Sequence, residues 1–232
     1  KTHNRTLLKY GLIKLKKTQR KGILKLLAEA KVKKEDIDVY HIGHMIAPRL
    51  NASGRISHAM DSLRLVCTTD ETRALKLARI LEETNKERQN LTFDSATHAK
   101  ESVNQDKLDN ILIAASDVYD QGVVGLIASK LVEEFYRPSI AISIGDIISK
   151  GSARSIPGVN IIELIRSVPE FLKEAGGHPM AAGFSIETKN LDGFKTALIK
   201  KANDQISSEL FDRVLKIDTE LSFNLIDQEL YD

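Results

Sequence analysis

From Thr68 to Val103 the sequence contains no glycine or proline, and its pattern stays helical throughout. At 1.5 Å per residue such a helix is roughly 50 Å long. That is too long for an ordinary globular helix, and its residues are too polar to be buried all round. It therefore predicts a rod that joins two lobes. Thr68 and Glu71 have capping-box spacing, which would satisfy two free amides at the start of the rod. The rod divides the sequence into a first unit over residues 1–66, a connector over 67–106, a second unit over 107–210 and a trailing stretch over 211–232.

The two sides of the rod differ in charge. Residues 1–34 hold twelve Lys/Arg and one acid, Glu29, while the rest holds 22 basic and 31 acidic residues. The net charge of +2 thus hides +11 against −9. Such asymmetry fits a polyanion partner for the basic part. A solvated lysine face on two short helices accounts for it equally well. "NRTLLKYGLIKLKK" and "KGILKLLAEAKV" read as those two amphipathic helices, with a break at "TQRKG". "DIDVYHIGHMIAPRLNASGRI" follows as an apolar stretch ending at Pro48 and then a small polar loop. The length of 232 residues and the apolar fraction of 42% allow a sizeable core. No apolar run is long enough to cross a bilayer, and no membrane partner is expected. The single cysteine, Cys67, reads as a small core residue and fits a reducing cytoplasm.

Beyond the polar turn "NQDKLDN" the periodicity changes. "ILIAAS" reads as a strand buried on both faces, "VVGLIASKLVEEF" as a helix and "RPSIAISIG" as a second strand. "IISKGSARSI" makes a third strand, in a hairpin around Gly145-Asp146. "NIIELIRSV" is a helix, "AGFSIE" a strand and "NLDGFKTALIKKANDQI" a last helix. "RVLKIDTELSFNLI" alternates like a strand. Strands interleaved with helices predict an α/β unit with a mixed sheet.

Three segments can carry chemistry. In "EAGGHPMAAGFSIE", Gly176 and Gly177 permit close backbone approach next to His178, whose ring can meet a phosphate. Taken alone, the segment reads equally as a glycine-rich turn with a partly buried histidine. "KGSARSIPG" clusters Lys150, Ser152, Arg154 and Ser155, and period two puts Ser152 and Arg154 on one face of a strand. A guanidinium offers phosphate a bidentate fork, and a hydroxyl adds a donor. In "APRLNASGRI", Arg49 and Arg55 flank a tight loop with Asn51; they bind phosphate or pair with carboxylates. Asp117 and Asp120 precede a helix and suit its positive end. His41 and His44 could share a metal only if helical, and no metal role is expected of them.

Taken in order, "APRLNASGRI", "QGVVGLIASKL", "GSARS" and "GGHPMAAGFSIE" resemble the RecJ-type single-strand-specific exonucleases of the DHH phosphoesterase superfamily. "GGHPMAAG" is the signature of the DHH-associated domain, and "PRLNASGR" points to the RecJ type. The resemblance runs from "NRTLLKYGL" to "IDTEL". It implies a mixed-sheet α/β DHH-associated domain joined by a long helix to the C-terminal part of a DHH domain, within a 5′→3′ single-stranded DNA exonuclease of repair or recombination. The family's DHH domain holds Mn2+ or Mg2+. By the resemblance, Ser152, Arg154, Ser155 and His178 contact phosphates of single-stranded DNA, Gly176 and Gly177 permit close approach, and Arg49, Asn51 and Arg55 match the loop on the catalytic side. The sequence has no DHH triplet and none of the aspartate motifs. No metal ligand and no catalytic residue is therefore expected in it, and the isolated chain is expected to bind without cleaving. The DHH domain and a trailing OB-fold of the same parent protein are its expected partners. Tyr119-Asp120 stands where the family usually has Trp-His. Two alternatives remain open: a DHH phosphoesterase for short oligonucleotides or nucleoside bisphosphates, and a non-catalytic nucleic-acid-binding module.

Overall fold

The computed structural model describes residues 2–104 and 107–231. Gln105 and Asp106, within the expected polar turn, lie outside the described residues. The chain opens with two helices, α1 (Thr2–Lys16) and α2 (Lys21–Glu29). The rod is α5 (Glu71–Glu101), whose 31 residues make it about 46 Å long. Its cap is Asp70 and not Thr68: the Asp70 carboxylate accepts from the amide of Arg73 at 2.6 Å, while Thr68 Oγ1 accepts from the amide of Asp70 at 3.2 Å. A carboxylate at that position both satisfies an orphan amide and meets the positive end of the helix.

The rod belongs to two hydrophobic cores. Near its start, Ala74, Leu77, Ala78 and Leu81 pack with Leu26, Leu27, Ile37 and Leu65. Near its end, Ala99 packs with Tyr119, Val123, Ile127 and Leu131. Burial at both ends, not solvent bridging, is what holds so polar a helix in place.

The segment read as a loop around Asn51 is helical. A π-helical turn (His41–Ile46) runs directly into α3 (Ala47–Ile56), with Pro48 in the first turn, where its missing N–H costs nothing. Ala52 and Ser53 are buried, and Ser53 Oγ lies 2.7 Å from Ser62 Oγ on α4 (Met60–Cys67). The small residues that suggested a loop allow close helix packing. Cys67, expected in the core, is exposed at the end of α4. His41 Nδ1 sits 2.6 Å from an Asp38 carboxylate oxygen, and His44 rests against the Tyr40 ring at 4.7 Å.

The second half is a five-stranded mixed sheet in the order β1-β2-β3-β5-β4. β1 (Leu112–Ser116), helix α6 (Val124–Phe135) and β2 (Ser139–Ser143) form a parallel crossover unit. β3 (Ile148–Arg154) returns antiparallel to β2, as the Gly145-Asp146 hairpin predicted. After α7 (Ile161–Arg166), β4 (Leu172–His178) and β5 (Ala181–Glu187) form a second hairpin, and α8 (Leu191–Gln205) closes the domain. The alternation sorts the faces. Ile140, Ile142, Ala153 and Phe184 pack with Phe194 and Leu198 of α8, whereas Ala114 and Ala141 face α6. Because α6 packs over β2 and β3, the same face is left open towards β5 and β4.

Two expectations fail here. The glycine-histidine segment is a strand, β4, at the edge of the sheet and not a turn. Residues 213–222 form no strand among the described residues, and Val214, Leu215 and Ile217 are exposed. Alternation without a neighbouring strand gives no ladder. No helix among the described residues is long and apolar enough to cross a membrane.

Candidate nucleic-acid interface

Lys150, Ser152 and Arg154 alternate along β3 and so share its open face. The register extends that face in rows: Arg154 opposite Ala181 opposite His178, Ser152 opposite Gly183 opposite Gly176, and Lys150 opposite Ser185 opposite Glu174. Above these rows lies a groove of about 1140 Å³. Lys150, Ser152, Arg154 and Gly176 form part of its floor, and Arg55 and Gly125 part of its wall.

Arg154 is held along its strand: its Nη1 donates to Ser152 Oγ at 3.1 Å and to the Ala153 carbonyl at 2.8 Å. Gly125, in the first turn of α6, makes this possible, because a Cβ there would stand 2.9 Å from Arg154 Nη2 and 3.1 Å from Ser152 Oγ. The wall is tied across the two halves of the molecule. Arg55, in the last turn of α3, donates through Nη1 to the Gly122 carbonyl at 3.2 Å, and the Gly122 amide donates to Asp120 Oδ1 at 2.7 Å.

The glycines divide their work. A Cβ on Gly176 would meet nothing within 4 Å, so this residue keeps the floor bare. Gly177 has φ +147°, and a Cβ on it would lie 2.4 Å from the Ala181 carbonyl oxygen; it shapes the hairpin.

Arg154 and Arg55 bring guanidinium charge to the groove, and a third, Arg88 on α5, stands near enough to Arg55 to feel its charge. Burial first, and the charge of Arg55 second, hold both Arg154 and Arg88 below the ordinary arginine value. None of the three forms an ion pair among the described residues. Unpaired cations that repel one another across a groove attract an anion.

Of the residues singled out in the sequence, the structure brings Ser152, Arg154, Gly176 and Arg55 together. His178 is exposed at the hairpin tip, on the same face as Arg154 but two strands away, across β5. Asn51 is exposed on α3, outside the groove lining. Two of the expected contact residues have protein partners of their own. Arg49 pairs with Glu82 at 2.5 Å and donates to the Met45 carbonyl, so it braces α3 against α5. Ser155 is buried and its hydroxyl donates to the Val159 carbonyl at 2.8 Å, closing the loop after β3. Sequence reasoning assigned no role to Gly122 and Gly125, although their spacing in "QGVVG" was visible. It also missed Arg88, which lies inside a helix with no motif around it. Tyr119 is a core residue, 2% exposed, with its hydroxyl 2.8 Å from His98 Nδ1, and burial pushes its pKa up to about 12. Among the described residues no three His, Cys, Asp or Glu side chains come together to suit a metal ion, and His41 is already held by Asp38. No metal-borne step is assigned to these residues.

The family model of the DHHA1 domain matches residues 108–208, the sheet and the helices around it. The chain is 36% identical over 218 residues to the single-stranded-DNA-specific exonuclease RecJ of Bacillus subtilis, covering 93% of this chain and 28% of that protein. It is 32% identical over 192 residues to RecJ of Thermus thermophilus, covering 83% of this chain and 28% of that protein. The crystal structure of Thermus thermophilus RecJ in complex with Mg2+ superposes with a TM-score of 0.79 at 27% identity, over 87% of this chain and 31% of that one. A manganese-bound RecJ superposes at 0.77, over 88% of this chain and 50% of that one. The chain thus spans less than half the length of these curated relatives. On this identity, this coverage and this shared fold, the chain belongs to the RecJ-type branch of the DHH superfamily and carries its DHHA1 domain.

Proposed function

We propose that this chain is the strand-gripping part of a 5′→3′ single-stranded DNA exonuclease, and that its groove holds a backbone or 5′-terminal phosphate. One observation carries the reading: Arg154 and Ser152, drawn together beneath the start of α6, face an open groove whose guanidiniums form no ion pair among the described residues. Arg55 approaches the same phosphate from the opposite wall, Gly176 lets the strand lie on the floor, and His178 stands at its outer rim. In the relatives' names the substrate is single-stranded DNA, and two of the superposed structures hold Mg2+ or Mn2+. We extend both to the parent protein, where divalent metal supplies water activation and charge neutralisation in the DHH domain. Residues 1–66 would then be the C-terminal part of that domain, 67–106 the connector, 107–210 the DHHA1 unit and 211–232 the lead towards an OB-fold. We place the protein in the cytoplasm, where a thiol such as Cys67 stays reduced. The isolated chain binds but does not cleave.

Fluorescence anisotropy with 5′-phosphorylated and 5′-hydroxyl oligonucleotides tests this. The phosphorylated strand should bind more tightly. Arg154→Ala should abolish the difference and lower the salt slope by about 1. Binding that ignores the 5′ phosphate and survives Arg154→Ala sinks the reading. Metal-dependent hydrolysis by the purified chain would overturn its assignment as inactive.

A further inference from the structure

Beside the groove lies a second cavity, of about 420 Å³, on the surface that α5 shares with α6. It is lined by Arg88, Gln89, Thr92, Phe93, Thr97 and Lys130, among others. Phe93 is 71% exposed, on a helix whose neighbouring positions Thr92, Ser95 and Ala96 are buried. A ring presented to water in the middle of a packed rod is not explained by either core. Arg88 is equally unresolved. Its Nη2 donates to Asn85 Oδ1 at 3.0 Å, but its Nε is buried and has no hydrogen-bond partner. A desolvated donor without a partner is costly, and the nearby charge of Arg55 adds repulsion. An anion held between Arg88 and Arg55 would offset that repulsion.

We infer that the strand track continues from Arg55 onto the α5–α6 surface, where Arg88 receives a second phosphate and Phe93 stacks a base of single-stranded nucleic acid. This rests on the reading of the groove as a nucleic-acid site. Arg88 and Phe93 are five positions apart, about 7.5 Å along the helix axis, and both border this one cavity, so a short stretch of strand can reach both. Lys130 and Lys100 border the cavity but are paired with Glu133 and Glu134, which leaves Arg88 to carry the anion. The ring stands among Gln89, Thr92, Ala96 and Thr97 with the Arg88 guanidinium on the same cavity, a pairing of aromatic face and cation that fits a base and its phosphate better than a protein side chain. Stacking on one aromatic beside a cation is sequence-tolerant and suits a flexible strand.

The test uses the 232-residue chain and 5′-phosphorylated oligothymidylates of two and eight nucleotides, with affinities from competition anisotropy. Phe93→Ala, at an exposed position, should leave the melting temperature unchanged. It should weaken the eight-nucleotide strand about fivefold or more and the two-nucleotide strand by less than twofold. Phe93→Tyr should restore the longer strand. Arg88→Gln should weaken the longer strand selectively as well. Unchanged affinity of Phe93→Ala for the longer strand, or equal losses at both lengths, overturns the inference. Arg154→Ala separates the two readings, since it should weaken both lengths together. If Arg154→Ala is silent while Phe93→Ala discriminates by length, the phosphate grip fails and the shelf stands.

Discussion

Gly122 and Arg55 are locked to each other from both directions: the Arg55 guanidinium donates to the Gly122 carbonyl at 3.2 Å, and a side chain on Gly122 would run into the Arg55 carbonyl oxygen at 2.0 Å. One residue ends a helix of the first half, and the other precedes a helix of the second. The groove is therefore assembled across the molecule's two halves, and its chemistry depends on packing between them.

Gly125→Ala should damage the site more than the fold. The added methyl meets Arg154 Nη2 and Ser152 Oγ, the ends of polar side chains that can move. Displacing them should weaken oligonucleotide binding about tenfold, equivalent to about 1.4 kcal/mol, with the circular dichroism spectrum unchanged. Retained affinity in an anisotropy titration would show that Arg154 is not held where it is needed.

The adjacent glycines should respond in opposite ways. Gly176→Ala faces open space and should leave thermal stability unchanged while lowering affinity, because it roughens the groove floor. Gly177→Ala combines φ +147° with a backbone collision and should cost about 1–3 kcal/mol of stability, read from urea midpoints.

Arg49→Leu should be a stability variant and nothing more. It removes the buried partner of Glu82 and leaves that carboxylate only Lys86 at 3.4 Å, at a cost of about 1–3 kcal/mol, while nucleic-acid affinity stays as in the parent. A matched loss of binding would return Arg49 to the interface.

Tyr119 should give the fold a limit on the alkaline side. Its pKa rises from 10.0 to about 12 because burial disfavours the phenolate. The unfolded chain loses this proton first, so stability is unaffected below pH 10 and falls as the pH rises from 10 towards 12. Tyr119→Phe should lose about 1 kcal/mol at pH 8, because the hydroxyl no longer meets His98. Its midpoint should decline less steeply between pH 10 and 11.5 than that of the parent.

The sequence made some of this legible and hid the rest for identifiable reasons. The rod was plain, since a run without glycine or proline has few other fates. The β1–α6–β2 unit and the β2–β3 hairpin followed from apolar runs and a Gly-Asp turn, and period two put Ser152 beside Arg154. The helix α3 was misread because Asn51, Ala52, Ser53 and Gly54 favour turns in isolation, whereas burial against α5 decided their conformation. Strand β4 was misread because its glycines are selected for what lies opposite them, which is tertiary information. Arg49 and Arg55 share one motif and have different fates, because only the fold puts Glu82 beside one and the Gly122 carbonyl beside the other.

A helix clamped in one core at Ala74–Leu81 and in another at Ala99 has no pivot between them. The groove walls, one attached to each end, cannot swing like jaws without tearing out a packed interface. The site is therefore a fixed slot: its two sides keep their spacing for as long as both cores stay packed, with no moving part.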